Sequence, residues 1–441
     1  MRIDILILGM LLIGAANMWG QQDSLQQKDL GGCIEYALKN NIQIKKSVIV
    51  LDQSVVTTKQ AKAQRLPNLQ ASVSQNYVNR PLLTSETITD ANSYSGNYSL
   101  NSSMTLYNGG KIGKNIKQQE LTVEANRYNV LEVEKSMQMQ ILELYLRILY
   151  ASEKVAVDKA TMELSEYQVT RAKGLQEAGS MSGVDVAKLE AQYATDKYQL
   201  VTSENSLSTA KLELKQMLEL DIDEDMSLAI PDLNQLDVMK PLGNLQDIYD
   251  KTVSTMPQMK SSKLQSDIAT LDTKIYKADY LPKVNLNANL GSGHSSVAGY
   301  DYDNQLRNGY SNGVGVSVSV PIFSNRTTKS NVQRARLNEK TAQLNIQDTE
   351  KQLLKEVEMA YQDAISAQSQ YLAANEKVKA LQTSYSLIEQ QFNLGMKNTL
   401  DLLTEKNNLL SAQQSLLQSK YLSIMNAQLL NLYQDYPLEI K

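Results

Sequence analysis

The stretch "GVGVSVSVPIFSNR" at residues 313–326 decides the architecture. Val314, Val316, Val318 and Val320 alternate with Gly and Ser, the period of a strand with one apolar and one polar face. Pro321 then interrupts, and a long polar helical pattern follows. Such a strand serves a soluble sheet, with its apolar face on a protein core. It serves a membrane barrel equally well, with one face on lipid and the other on a lumen.

The stretch belongs to an internal repeat. "QRLPNLQASVS" (64–74) returns as "DYLPKVNLNAN" (279–289), 215 positions on. "MTLYNGG" (104–110) returns as "VPIFSNR" (320–326), and "LQEAGSMSGVDVAKLE" (175–190) as "QFNLGMKNTLDLLTEK" (391–406), both 216 positions on. Each half reads as a helix, Leu-Pro, a strand, a loop, a second strand, a very long helix, a Gly turn and another long helix. The repeats span residues 21–219 and 256–435, with an inter-repeat region at 220–255 and a tail at 436–441.

The strands are expected at about 67–77, 96–107, 282–291 and 312–323. Each is roughly the length a tilted strand needs to cross a bilayer. The loops between them, residues 79–95 and 291–312, are rich in Asn, Ser, Tyr and Gly and show no buried pattern. His294, in the second loop, reads as a solvated side chain.

No proline lies between Pro81 and Pro231, or between Pro321 and Pro437. A helical pattern from Lys111 to Glu177 would run roughly 100 Å at 1.5 Å per residue. A matching one runs from about Asn325 to Asn393. Leu403, Leu410, Leu417 and Ile424 step by seven, as do Val186, Tyr193, Leu200, Leu207 and Leu214. A strict heptad implies left-handed coiled-coil packing.

Composition removes several functions. With 44 basic and 48 acidic residues the net charge is -4, no footprint for nucleic acid. One Cys and one His exclude disulfide frameworks and the usual Cys/His zinc sites within a chain. No phosphate loop or nucleophile elbow is present, so neither catalysis nor a cofactor is expected. The 23 Tyr against two Phe and one Trp suit rings placed at interfaces.

Residues 1–20 read as a signal peptide: Arg2, then an apolar run, then small and polar residues. "LGGC" (30–33) looks like a lipid-attachment box, but the polar residues 21–29 precede it, and Cys33 reads better as a small apolar helix residue. No later segment reaches the roughly 18 apolar residues of a membrane helix.

Four strands cannot close a barrel, since the smallest have about eight. An open sheet edge in lipid leaves backbone groups unsatisfied. Either the sheet is soluble, within a periplasmic coiled-coil scaffold, or copies pool their strands. Three copies of four strands make a twelve-stranded barrel wide enough for a lumen. Tyr107 and Phe323 then sit at matching strand ends as one aromatic girdle, with Tyr98 and Tyr310 near the outer ends.

The duplicated Leu-Pro-strand units, the "YNGG" turn and "FNLGMKNTLDLL" (392–403) resemble the TolC-like outer-membrane efflux proteins, or outer membrane factors, over nearly the whole chain. The resemblance implies a mainly α homotrimer: a twelve-stranded barrel in outer-membrane lipid, continuous with a helical periplasmic tunnel. An equatorial domain wraps the middle, drawing on residues 220–255 and the tail. The implied partners are a periplasmic adaptor protein and an inner-membrane pump of RND or ABC type.

The tunnel's inner end would hold the two Gly turns, at residues 179–183 and at Gly395, which supply positive φ. Gly179, Ser180, Gly183, Gly395, Met396 and Leu400 are the expected adaptor-docking tips. Resemblance places Asp401 at the constriction, where three copies would form an acidic ring. Asp401 as a first-turn acid of the following helix remains the alternative. Lys397 stands where the family often has a basic latch. Thr404 stands where a second acidic residue can occur, which puts a doubled ring in doubt. Asp185 is a further candidate, facing a basic residue of the neighbouring hairpin.

Overall fold

A computed structural model describes residues 29–84, 87–223, 228–229, 238–296 and 301–438. The signal peptide expected at residues 1–20 lies outside the described residues.

Each half opens with a short and then a longer helix. These are α1 (Leu30–Asn40) and α2 (Ile42–Ala63), then α5 (Leu245–Thr255) and α6 (Pro257–Lys277). Side-chain caps start them: Asp29 accepts from Gly32 N–H, Asn41 from Gln43 N–H and Asn244 from Gln246 N–H. The segment assigned to the inter-repeat region thus ends in α5, the counterpart of α1.

The strands are β1 (Asn68–Thr84), β2 (Thr87–Asn108), β3 (Lys283–Ser295) and β4 (Ser311–Ser319), forming one antiparallel sheet in the order β1-β2-β3-β4. The first hairpin is longer than expected. Its ladder runs from Asn68↔Ser103 to Thr84↔Thr87, through most of the stretch read as a loop. Polar strand residues carry no apolar alternation, so this extension was invisible to a hydropathy pattern. The second loop contains a short helix, α7 (Tyr302–Asn308). β4 stops at Ser319 because Pro321 cannot continue a ladder. Phe323 therefore lies beyond the strand, in the connection to the helix, where it is exposed.

The sheet has two unlike faces. One carries Leu69, Val73, Leu100, Leu290, Val314, Val316 and Val318, all exposed. The other is polar and cross-linked. Ser72 Oγ lies 2.6 Å from Ser99 Oγ, Asn68 Oδ1 accepts from Ser103 N–H at 2.7 Å, and Asn287 Nδ2 donates to Ser317 Oγ at 3.2 Å. A bulge between Thr105 and Tyr107 brings Tyr107 opposite Val284, on the apolar face.

The long helices are α3 (Lys111–Glu177) and α8 (Thr327–Asn393), each 67 residues, and α4 (Gly183–Met217) and α9 (Thr399–Tyr433), each 35. α4 abuts α2 end to end: Asn41 Nδ2 donates to the Met217 carbonyl at 3.0 Å, and Ile42 N–H to Glu219 Oε1 at 3.1 Å. At the matching joint, Tyr433 of α9 packs against Met256 and Met259 at the start of α6. Four columns result, side by side in the order α2/α4, α3, α6/α9, α8. The main core sits midway along them. It gathers Ile141, Tyr145 and Leu149 of α3, Leu214 of α4, Leu417 and Ile424 of α9, and Cys33 of α1, which is fully buried. Burial pushes the Tyr145 phenol up to about 12, while its hydroxyl donates to the Ala229 carbonyl at 2.6 Å.

Candidate functional site: the helical tip and the barrel rim

Both hairpin turns end their first helix in the same way. Gly179 and Gly395 have φ of 72° and 75°. Ser180 N–H reaches the Leu175 carbonyl at 2.8 Å, and Met396 N–H the Gln391 carbonyl at 2.9 Å. This is the Schellman closure, which needs a residue free to adopt the left-handed region. Gly183 does not have positive φ. It is the first residue of α4, and a Cβ there would lie 3.1 Å from Gln176 Nε2.

The second helices are capped alike. Ser182 Oγ accepts from Asp185 N–H at 3.1 Å, and Asn398 Oδ1 from Asp401 N–H at 2.9 Å. Asp185 and Asp401 therefore occupy identical first-turn positions, where the helix dipole favours a carboxylate. Asp401 lies 3.6 Å from Lys397, and both are partly exposed. Thr404 is exposed one turn further along. The Asp185 carboxyl is held below its ordinary range by the Ser182 hydroxyl, the Thr399 hydroxyl of the adjoining hairpin, and Lys188. Within the chain its charged partner is Lys188, 3.6 Å away on its own helix, rather than a base of the other hairpin. Met396 and Leu400 stand 71% and 62% exposed at the extreme end.

Above the tip lies a group the sequence reading missed. Lys406 Nζ of α9 donates to Asp196 Oδ2 of α4 at 2.7 Å. Ser165 of α3 hydrogen-bonds both, and Gln192 Nε2 donates to Asp196 Oδ1 at 2.8 Å. The signal was available: Thr399, Leu402, Lys406 and Leu409 are spaced as one buried helical stripe.

At the opposite end of the molecule, Tyr98 lies in β2 and Tyr310 just before β4. His294 is no loop residue. It lies next to the last residue of β3, opposite Gly96, and its ring packs 4.7 Å from Tyr302, 5.5 Å from Tyr94 and 6.0 Å from Tyr98. Gly96 leaves the space for that ring, since a Cβ there would meet His294 Cε1 at 2.1 Å.

The chain is similar to known proteins. Over 434 residues the chain is 23% identical to outer membrane protein TolC of Escherichia coli (strain K12), covering 96% of this chain and 84% of that one. It is 21% identical to toxin and drug export protein A of Aggregatibacter actinomycetemcomitans over 393 residues, covering 89% and 83%. Its fold matches the CmeC outer membrane channel of Campylobacter jejuni with a TM-score of 0.75 at 17% identity, covering 99% of this chain and 96% of that one. Residues 33–219 and 248–433 match the outer membrane efflux protein family, one block for each half of the repeat, and the chain belongs to that family.

Proposed function

We propose that three copies of this chain form the passive outer-membrane exit duct of a tripartite export system. The observation that carries this is a four-stranded sheet with an exposed row of valines on one face and a polar ladder on the other. Both its edges, β1 and β4, are open. Valines left in water and unpaired strand edges are both unfavourable. Pairing β4 of each copy with β1 of the next removes the edges, turns the valines to lipid and the Ser/Asn face to a lumen. The helical columns continue below as the periplasmic tunnel. Tyr98, Tyr107, Tyr310 and Phe323 meet the membrane interfaces, and residues 220–255 contribute to the equatorial belt.

The tips are the docking end for a periplasmic adaptor, through the turns at Gly179, Ser180 and Gly183 and at Gly395, Met396 and Leu400. Three Asp401 side chains, with Lys397 beside each, ring the aperture, and Thr404 lies behind them. A carboxylate ring attracts cations and repels anions. Energy comes from an inner-membrane pump, which also selects the cargo. The export role is supported by the Aggregatibacter relative, which is named for toxin and drug export.

The test is planar-bilayer conductance of detergent-purified protein, measured with its native mass. Discrete channels from a trimer are expected. A water-soluble monomer without conductance would overturn the duct in favour of a coiled-coil scaffold.

A further inference from the structure

The two halves of the chain correspond residue by residue. α3 begins at Lys111 and α8 at Thr327, 216 positions on, and both run 67 residues. α4 and α9 are related by the same offset, Gly183 to Thr399. α2 and α6 are related by 215, Ile42 to Pro257. Irregular positions correspond too: Glu219 and Asp435, each just past the end of its helix, have φ of 57° and 62°.

One junction between halves lies inside the chain, where α3 packs on α6 and α9. Repeating the column order around a ring places α8 of each copy against α2 and α4 of the next. We infer that this second junction repeats the first, so that Lys351 of one copy pairs with Glu219 of the next. The inference rests on the trimer proposed above.

The carrying contact is the ion pair between Lys135 Nζ and Asp435 Oδ1, 2.6 Å apart, which ties α3 to the end of α9. Lys135 corresponds to Lys351 on α8, and Asp435 to Glu219 at the end of α4. The charges are preserved, although both residues are exposed in the single chain. Glu219 already accepts from Ile42 N–H through Oε1, and a carboxylate has lone pairs to spare.

Other in-chain contacts translate into complementary pairs as well. Gln118–Asp272, 2.7 Å apart, becomes Arg334 with Thr57. Asn129–Ser261, also 2.7 Å, becomes Asn345 with Lys46. Glu153–Lys420, 2.8 Å, becomes Ser369 with Glu204. Each pair can match a donor with an acceptor, Ser369 by turning its hydroxyl from the Ile365 carbonyl, 2.9 Å away, to the Glu204 carboxylate. The buried Lys406 group does not translate: Ser165, Asp196 and Lys406 correspond to Leu381, Ala412 and Glu190. It therefore marks the in-chain junction alone.

The test is cross-linking in a Cys33→Ala background. Lys351→Cys with Glu219→Cys, treated with a short bismaleimide, should lose its monomer band to covalent dimers and trimers on a denaturing gel. Each single variant should stay monomeric there. Lys135→Cys with Asp435→Cys should cross-link within one chain, gaining the linker's mass but leaving the band monomeric. A trimer by native mass that gives no covalent dimer overturns the pairing and leaves the trimer standing. A monomeric wild type overturns both. If the double-cysteine variant does not assemble, charge exchange decides. Lys351→Glu should weaken the trimer roughly fivefold, the scale of an exposed ion pair, and Glu219→Lys added to it should restore assembly. Failure to restore it overturns the pairing.

Discussion

Lys406 Nζ and Asp196 Oδ2 lie 2.7 Å apart, and both side chains are only 4% exposed. The pair fastens α9 of the second hairpin to α4 of the first, with Ser165 of α3 as the third member. A buried ion pair contributes little over a well-packed apolar pair, but breaking one leaves an uncompensated charge. Lys406→Met should therefore destabilise the protein by about 3–5 kcal/mol. Adding Asp196→Leu should recover most of the loss. Denaturant unfolding of the single and double variants checks this; equal stability of both would reject it.

The two faces of β4 should respond oppositely to charge. Val316 lies on the apolar face and Ser317 on the polar one. Val316→Lys should lower folding stability in lipid by about 2–4 kcal/mol if that face meets the bilayer centre. Ser317→Lys should be tolerated. Folding titrations into lipid vesicles distinguish the two, and a soluble sheet would give no lipid dependence.

The turns before α3 and α8 use different residues for one backbone path. Gly109 and Gly110 have φ of 67° and 73°, while Asn325 and Arg326 hold 47° and 64° in the corresponding places. A side chain in the left-handed region costs about 1–2 kcal/mol. Arg326→Gly should thus stabilise by about 1 kcal/mol. Gly109→Ala should destabilise by more than the same strain alone, because its Cβ would lie 2.9 Å from the Ala278 carbonyl oxygen. Thermal unfolding of the two variants should move in opposite directions.

Asp185 gives a pH signature at the tip. Its carboxyl is held below the ordinary aspartate range by the hydroxyls of Ser182 and Thr399 and by Lys188. A depressed carboxylate contributes stability above its unfolded pKa and loses it as pH falls through the folded value. Asp185→Asn should therefore speed amide exchange in the first turn of α4 at neutral pH. The difference from wild type should shrink as the pH is lowered beneath the ordinary aspartate range. A difference that stays constant as the pH falls would show that the charge is not responsible.

Asp401, the proposed aperture residue, is tested through conduction. Asp401→Ala should shift the reversal potential toward non-selectivity in single-channel recordings under a salt gradient. Its cap, Asn398, stays in place, so α9 should start as before. Unchanged selectivity would reduce Asp401 to a first-turn acid.

The sequence alone determined the duplication, the two 67-residue helices, the existence of four strands and their alternation, because each is a periodic or local signal. It also marked the tips, since the glycines at 179 and 395 and the acids six residues later recur at one offset. Only the tertiary structure decided the rest. The first hairpin grew into a polar stretch because backbone pairing, which side-chain hydropathy does not encode, continues the ladder. His294 became a packed ring because Gly96, far away in sequence, stands opposite it. Lys406 became a buried pivot because Asp196 and Ser165 converge on it from two other helices. His294 stands 198 positions from Gly96, and Lys406 210 and 241 positions from Asp196 and Ser165, so the energy of these contacts exists only once the tertiary fold brings the halves together.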